Sequence, residues 1–213
     1  EVSELIHRVK TGGVLPMFTS CSPGWIRYVE LHRPELIPHL STCKSPQQMT
    51  GALIREFYPK KADLGDRELF SVSIMPCTAK KFEAEDLGDI DAVLTTREVE
   101  DLLKRFGVRL EAEGPRAPLD LPFAEATGAG RIFGGTGGVM EAAIRTAHKM
   151  LTGSELKGGP KVAEVRGTAR VKVFTIDVGG TALNFAIVNG LGEAKSIVDS
   201  VLQGNSNLHF VEV

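Results

Sequence analysis

Two apolar stretches in this sequence are each followed at once by polar residues that can start a helix. Residues 14–18 (VLPMF) and residues 69–75 (LFSVSIM) are short and apolar, a pattern that predicts buried strands. Ser22 and Pro23 follow the first stretch and suit an N-cap and a first helical residue. The sequence therefore predicts strands that run directly into helices.

Along the rest of the chain, helical and strand patterns alternate. Cap signals and helical spacing predict helices at 3–10, 23–31, 46–58, 96–106, 139–151 and 193–202. Ser45, with Gln48 three residues later, and Thr95, with Glu98 three residues later, are the predicted N-caps of the third and fourth of these helices. Further strands are predicted at 91–94, 161–165, 171–178, 184–189 and 208–213, and a proline-rich loop at 111–122. This order predicts an α/β fold whose small parallel sheets are flanked by helices. We expect two lobes, residues 1–84 and 85–213.

Two cysteines, Cys21 and Cys77, each follow the carboxyl end of a predicted strand, and a predicted helix begins directly after Cys21. Backbone N–H groups and the positive end of a helix dipole lower the pKa of a thiol at such a turn. The carboxyl ends of strands are also where open α/β sheets bind ligands. A single cysteine is more often a small buried residue, but two on matching turns indicate a reactive cleft.

Composition excludes several other classes of protein. A net charge of -2 provides no electrostatic attraction for nucleic acid or an anionic membrane. No apolar run reaches the ~18 residues of a membrane span, and the first residues do not resemble a signal peptide. Three widely spaced cysteines argue against a disulfide framework and favour a reducing compartment. The five histidines show no zinc-ligand spacing.

A glycine-rich run at residues 128–138 precedes the predicted helix 139–151. Glycines at a helix start can bind phosphate, but the Gly-Lys-Ser/Thr of a P-loop does not follow. We therefore interpret the glycines as a place where the backbone approaches a buried group closely.

Four segments resemble signature sequences of the iron-only ([FeFe]) hydrogenase catalytic domain. They are residues 19–25 (TSCSPGW), 44–49 (KSPQQM), 75–83 (MPCTAKKFE) and 132–143 (IFGGTGGVMEAA). Because they span nearly the whole chain, the sequence is identified as a member of that family. The resemblance implies two lobes with a metal cluster in the cleft between them. It also implies a third motif, with two more cysteines, just after Val213.

In the resembled family the cofactor is the H-cluster, a di-iron unit with CO, cyanide and a dithiolate, joined to a 4Fe–4S cubane. The resemblance implies that Cys21 exchanges protons with the di-iron unit and that Cys77 binds the cubane. Lys80 matches the residue that holds a cyanide ligand. The positions that match the proton path to the surface are Glu4, Ser41 and Glu1. Those that match the lining of the di-iron pocket are Pro46, Gln47, Met75 and Phe133. Glu1 and Glu4 have a second interpretation, in which they are first-turn acids that only complement the helix dipole.

One position departs from the family pattern. Ser22 stands where the family commonly has a second cysteine, which ligates the cubane. Serine oxygen is a harder and rarer ligand for iron. Three alternatives are open. Ser22 could bind the cubane through its oxygen, another thiolate could replace the missing ligand, or the cubane itself could be altered. Cys43 is the candidate thiolate, and its other interpretation is a small buried residue.

The resemblance implies a catalytic-domain fragment that is inactive alone and whose parent interconverts dihydrogen with protons and electrons. Implied partners are dihydrogen, protons and an electron carrier such as ferredoxin or an NAD(P)-linked subunit, reached through further iron–sulfur domains. We expect no nucleic acid and no membrane segment, and a cytoplasmic location in an anaerobic bacterium.

Two alternative functions come from the same residues. The first is a non-catalytic relative in iron–sulfur assembly or hydrogen sensing, but Cys21 and Lys80 favour the enzyme because a scaffold needs neither a proton relay nor a cyanide anchor. The second is a thiol hydrolase with Cys21 as nucleophile, for which the sequence offers no convincing histidine partner.

Overall fold

The computed structural model describes residues 1–110, 117–119, 127–156, 165 and 169–213. The helices are α1 (Val2–Thr11), α2 (Pro23–His32), α3 (Pro46–Lys61), α4 (Ala79–Leu87), α5 (Thr96–Arg105), α6 (Gly128–Ile132), α7 (Gly138–Thr152) and α8 (Leu191–Leu202), with a 3-10 helix at Pro34–His39. The strands are β1 (Met17–Phe18), β2 (Val72–Ile74), β3 (Ala92–Leu94), β4 (Val171–Val178), β5 (Thr181–Val188) and β6 (Phe210–Glu212). No helix in the described ranges is long and apolar enough to cross a membrane. The predicted strand 161–165 and loop 111–122 lie mostly outside the described residues.

The chain forms two compact units. The first combines Glu1–Cys43 with Ala126–Val213, and the second is Lys44–Glu125. Both ends of the sequence belong to the first unit because β1 pairs in parallel with β6. The expected boundary between residues 84 and 85 therefore falls inside the second unit. The expected cleft between two lobes stays a prediction.

The first unit is built on a sheet with strand order β1-β6-β5-β4. Strand β6 runs parallel to both of its neighbours, whereas β4 and β5 are antiparallel and pair Val171 with Val188. Gly179 and Gly180 connect them with φ of 64° and 88°, a left-handed conformation that two-residue hairpin turns require. This hairpin departs from the parallel arrangement that the pattern predicted, and β5 begins at Thr181 rather than at residue 184.

Apolar side chains of this sheet alternate between its two faces. Met17, Phe185 and Phe210 join one apolar cluster with α1 and α7, whereas Phe18 and Val211 join another with α2 and α8. All five are at most 1% exposed. Burial of each large apolar side chain contributes about 1.5–3 kcal/mol. Helices therefore cover both faces of the sheet, as expected.

The second unit contains the parallel pair β2 and β3, joined through α4. Its small core consists of Ala84, Ile90 and Val93. Helix α3 lies close to the segment before β3, because a Cβ added at Gly51 would come within 2.5 Å of the Asp89 carbonyl oxygen. A side chain larger than hydrogen does not fit at that contact.

The two predicted helix caps in this unit are confirmed. Ser45 is the N-cap of α3, its hydroxyl accepts from the Gln48 N–H, and Pro46 is the first helical residue. Thr95 and Glu98 form a reciprocal capping box at the start of α5. Both caps satisfy N–H groups that a helix start leaves without partners.

Glu98→Gln is expected to remove an acid-dependent part of the stability. Hydrogen bonds from Lys81 and from Thr95 lower the pKa of Glu98 from 4.5 to about 2. Since the folded pKa lies below the unfolded one, the stabilisation is complete above about pH 4.5 and is lost as the pH falls towards 2. The difference in Tm between wild type and variant, measured by circular dichroism, should shrink across that window. A difference that does not change with pH would contradict this expectation; Glu85→Gln, at an exposed position of α4, is the control.

Candidate functional site

Cys21 lies on the turn between β1 and α2, as the sequence pattern predicts. Ser22 is the N-cap residue in extended conformation and Pro23 begins the helix, although the Ser22 side chain makes no capping hydrogen bond. The end of β6 reaches this turn, because the Val213 N–H donates to Thr19 Oγ1 at 3.1 Å. Half-buried Cys21 therefore follows the carboxyl end of one of two paired parallel strands, a position where α/β sheets bind ligands.

Three of the predicted proton-path residues lie together in the first unit. Ser41 Oγ donates to Glu4 Oε2 at 3.0 Å, and the Thr42 N–H donates to the same oxygen at 3.0 Å. The Glu1 carboxylate interacts with the Ser41 side chain and with the backbone of Ser20, the residue before Cys21, and both interactions favour its ionised form. We call Glu1, Glu4 and Ser41 the acid–hydroxyl cluster.

The two carboxylates of this cluster have different proton affinities. Burial raises the pKa of Glu1 above its ordinary value, against hydrogen bonds that favour the ionised form. Burial also raises the pKa of Glu4, but hydrogen bonds from Thr42, Arg8 and Ser41 outweigh it, so the net pKa lies below the ordinary value. Arg8 Nη2 donates to Glu4 Oε1 at 2.7 Å. Carboxylates whose pKa values are pushed in opposite directions are suited to different roles in proton transfer.

Cys43 is half-buried beside the acid–hydroxyl cluster. Its Sγ lies 2.9 Å from the backbone nitrogen of Glu1, and its N–H donates to Ser41 Oγ at 3.2 Å. Its carbonyl accepts from Ser20 Oγ at 2.6 Å, which places Cys43 beside the segment that leads to Cys21. Ligation of a metal by Cys43 or by Ser22 stays a prediction.

In the second unit, Cys77 and Lys80 occupy the start of α4. Cys77 is half-buried between β2 and α4, and the Lys80 N–H donates to the Cys77 carbonyl at 3.3 Å. Lys80 is buried, and its Nζ donates to Glu83 Oε2 at 3.0 Å. Gln47 is also buried, and its Nε2 donates to the same Glu83 oxygen at 3.3 Å. An ammonium is thus held inside the unit by a carboxylate that the sequence analysis missed.

The other predicted site residues differ in exposure. Met75 packs against the small core of the second unit, and Pro46 is exposed at the start of α3. Phe133, at the C-cap of α6, is 39% exposed. The first unit holds Glu1, Glu4, Cys21, Ser22, Ser41, Cys43 and Phe133, and the second holds Pro46, Gln47, Met75, Cys77 and Lys80.

Glu212 is a further residue that sequence reasoning missed. Its two carboxylate oxygens accept from the backbone N–H groups of Gly137 at 2.9 Å and Met140 at 2.6 Å. Burial raises the pKa of Glu212 above its ordinary value, although these hydrogen bonds oppose the shift. The carboxylate ties β6 to the start of α7. No short-range signal indicates a contact over more than seventy positions.

The glycine-rich run makes the close approach that the sequence predicts. A Cβ added at Gly138 would lie 1.8 Å from the Ile132 carbonyl oxygen, and one added at Gly137 would lie 2.5 Å from the Val165 carbonyl oxygen. Gly137 also has a φ of 81°. The backbone at the start of α7 therefore packs against other backbone, with no room for side chains.

The donor groups of this chain fit an iron–sulfur site only in part. A cubane usually takes four thiolates, and the sequence has three cysteines. Within the described ranges, no three Cys, His, Asp or Glu side chains form a group that could hold a metal ion. The thiols therefore do not make a complete cubane site by themselves. Buried Lys80, in contrast, suits an anionic ligand, because its ammonium has three N–H donors and can bind a second anionic group besides Glu83.

Comparison with known proteins decides the family. The sequence model of the iron only hydrogenase large subunit, C-terminal domain, matches residues 1–213. The chain belongs to this family. Among its relatives, the periplasmic [Fe] hydrogenase large subunit of Nitratidesulfovibrio vulgaris is 42% identical over 221 residues, which cover 100% of this chain and 52% of that protein. The hydrogenase resemblance of the four segments is thereby confirmed.

One further relative and one solved structure show how much of this chain, and how much of each matching protein, the similarity covers. The cytosolic iron-sulfur assembly component 3 of Bos taurus is 34% identical over 215 residues, which cover 93% of this chain and 44% of that protein. A solved [FeFe]-hydrogenase structure concerned with stepwise H-cluster assembly matches with a TM-score of 0.78 and 36% identity, covering 99% of this chain and 62% of that chain. The chain spans about half the length of these curated relatives. The fold class is confirmed, and an iron–sulfur cofactor is supported.

Proposed function

We propose that the natural full-length protein carrying this chain is an [FeFe]-hydrogenase that reversibly oxidises dihydrogen to protons and electrons. The observation that supports this most is the hydrogen-bonded acid–hydroxyl cluster beside the segment that leads to Cys21. Positioned carboxylates and hydroxyls can donate and accept protons in turn. Membership of the hydrogenase family over the whole chain adds the reaction class.

The H-cluster, when bound, would supply the redox chemistry that interconverts dihydrogen with protons and electrons. In this proposal Cys21 holds the proton nearest to the reaction, because a thiol at a helix N-terminus can both donate and accept near neutral pH. Ser41, Glu4 and Glu1 carry protons between Cys21 and the surface. Arg8 orients Glu4 through its hydrogen bond to Oε1.

Other residues of the chain would hold the group itself. Cys77 is the proposed cubane ligand, and Lys80 is the proposed donor to an anionic cyanide ligand. The ligand that the family commonly takes from the Ser22 position is either the Ser22 oxygen or the Cys43 thiolate. The proposed lining residues are Pro46, Gln47, Met75 and Phe133.

A second candidate function is a non-catalytic role in iron–sulfur assembly. Its support is the 34% identity to the cytosolic assembly component, over 93% of this chain. An assembly protein would bind an iron–sulfur cluster without the diatomic ligands of the di-iron unit and would not evolve dihydrogen.

The proposed partners follow from the proposed activity, whereas the proposed location rests on three widely spaced cysteines, which favour a reducing compartment. We propose an electron carrier such as ferredoxin or an NAD(P)-linked subunit, which exchanges electrons through further iron–sulfur domains of the natural protein. We propose a cytoplasmic location, while noting that the hydrogenase relative from Nitratidesulfovibrio vulgaris is periplasmic.

The test uses the natural full-length protein, produced without oxygen together with H-cluster maturation proteins. Dihydrogen evolution from reduced methyl viologen and infrared bands of bound CO and cyanide are the expected results. A protein that binds an iron–sulfur cluster but shows neither result would overturn the hydrogenase proposal and support the assembly function.

Glu4→Gln in that protein should lower dihydrogen turnover by roughly 10²-fold or more, because an amide cannot carry a proton between Ser41 and the solvent. The infrared bands should be retained, since Glu4 touches no proposed ligand of the cluster. Glu30→Gln, which changes an exposed acid paired with Arg27, is the matched control and should leave turnover unchanged. Equal turnover of the two variants would show that protons use another path.

A further inference from the structure

Four polar side chains of the second unit form a continuous hydrogen-bond series, which we call the Lys80 relay. Ser73 Oγ donates to Gln47 Oε1 at 2.8 Å, and Gln47 Nε2 donates to Glu83 Oε2 at 3.3 Å. Lys80 Nζ donates to both carboxylate oxygens of Glu83, at 3.2 and 3.0 Å. The relay joins β2, α3 and α4 through side chains alone.

The charges in the relay are removed from solvent. The side chains of Lys80 and Glu83 are each 9% exposed, whereas the Lys104–Glu100 pair on α5 is 66% and 63% exposed. An exposed ion pair contributes little, but removal of one partner from a buried pair leaves an uncompensated charge at large cost. Glu83 therefore helps to compensate the buried ammonium of Lys80 before any ligand is present.

Gln47 has one orientation in this arrangement. Its amide faces the Lys80 carbonyl oxygen at 3.4 Å and the Glu83 carboxylate, and both of these groups only accept hydrogen bonds. The amide nitrogen must therefore point at them, and the amide oxygen at the Ser73 hydroxyl. Glu83 thus has a second donor, which does not depend on where the Lys80 ammonium points.

We propose that Glu83 is a positioning residue for Lys80, and that Gln47 and Ser73 keep Glu83 in place when the ammonium turns towards an anionic ligand. Before ligand binding, Glu83 holds the ammonium inside the unit. After binding, the ammonium is shared between the carboxylate and the ligand, so Glu83 limits how strongly Lys80 donates to it. This inference rests on the proposed function, because the ligand it names is a cyanide group of the H-cluster.

The first test needs no cofactor and uses the natural full-length protein without H-cluster maturation. Glu83→Gln should lower Tm by roughly 5–10 °C, because it removes the Glu83 carboxylate from the buried Lys80 ammonium. Adding Lys80→Met to this variant should restore at least half of the loss, since the buried charge that Glu83 compensated is then gone. Glu100→Gln, at the exposed pair, is the matched control and should shift Tm by no more than about 2 °C. Additive losses in the double variant would overturn the pairing.

The second test separates positioning from a merely structural role. In the matured protein, Glu83→Gln should shift the cyanide infrared bands, because Lys80 then donates to the ligand without competition. Glu83→Gln should cause no such shift in a protein that already carries Lys80→Met. Ser73→Ala, which leaves both charges in place, should give a smaller shift of the same sign, and it remains measurable if Glu83→Gln does not fold.

Unchanged cyanide bands in both Glu83→Gln and Ser73→Ala would overturn the proposal. So would a Glu83→Gln shift of equal size in proteins with Lys80 and with Lys80→Met. Failure of the wild-type protein to show any cyanide band would overturn the proposed hydrogenase function instead. In that case the recovery of Tm by the double variant still decides whether Glu83 holds Lys80.

Discussion

Cys21→Ala in the matured full-length protein should lower dihydrogen turnover by roughly 10²- to 10⁴-fold, the usual contribution of a positioned acid or base. The turn between β1 and α2 presents this thiol at a helix N-terminus, and alanine can neither donate nor accept a proton there. The cofactor should still bind, because Cys77 and Lys80 are unchanged. Turnover with reduced viologen measures the effect on catalysis, and the infrared bands of CO and cyanide measure whether the cofactor is bound.

The control for Cys21→Ala is Thr42→Ala, since Thr42 contributes only its backbone N–H to Glu4 and its side chain is exposed. This variant should retain both turnover and bands. Wild-type turnover in Cys21→Ala would remove the thiol from the mechanism. Loss of the bands together with turnover would show that Cys21 holds the cofactor rather than a proton.

Gly138→Ala should destabilise the first unit by about 3 kcal/mol, which lowers the Tm of the full-length protein by roughly 3–6 °C. The added Cβ would meet the Ile132 carbonyl oxygen at 1.8 Å, and a backbone clash cannot be relieved by a change of rotamer. Thermal unfolding of the full-length protein measures the loss.

Gly134→Ala is the matched control, because a Cβ there meets nothing within 4 Å and the residue lies in the same glycine-rich run. Its Tm should stay within about 2 °C of wild type. Equal losses at the two positions would show that the glycines act through chain flexibility rather than through the contact at Ile132.

Most helices and strands could be predicted from local signals in the sequence, such as caps and the spacing of apolar residues. Ser45 and Thr95 were predicted as caps, and both hydroxyls accept the expected backbone N–H bonds. The parallel direction of β4 and β5 was not correct, because Gly179 and Gly180 permit a two-residue turn that the helix–strand alternation does not encode. The boundary between the two units differs from the expected one for a similar reason. Both ends of the chain join the first unit through the pairing of β1 with β6, which is a contact between distant segments.

The candidate site shows the same limit. Helical spacing places Arg8 near Glu4, and Glu83 near Lys80, so both could have been found by counting three or four residues along a helix. Contact of Ser41 with Glu4 joins positions 37 residues apart and came only from the family resemblance. Glu212 had no signal, because its carboxylate bonds to backbone N–H groups rather than to side chains of recognisable type.

Pairing of β1 with β6 also sets an order for folding during synthesis. Met17 and Phe210 are partners in the sheet although about 190 residues separate them along the chain. At 5–20 residues per second, a ribosome needs roughly 10–40 seconds to make that interval. The second unit, Lys44–Glu125, is finished well before β6 exists. In that interval β1 and the apolar faces of α1 and α2 lack their partner strand, so nascent chains stalled before Phe210 should bind chaperones and be cut by proteases within the first unit while the second unit is already protected.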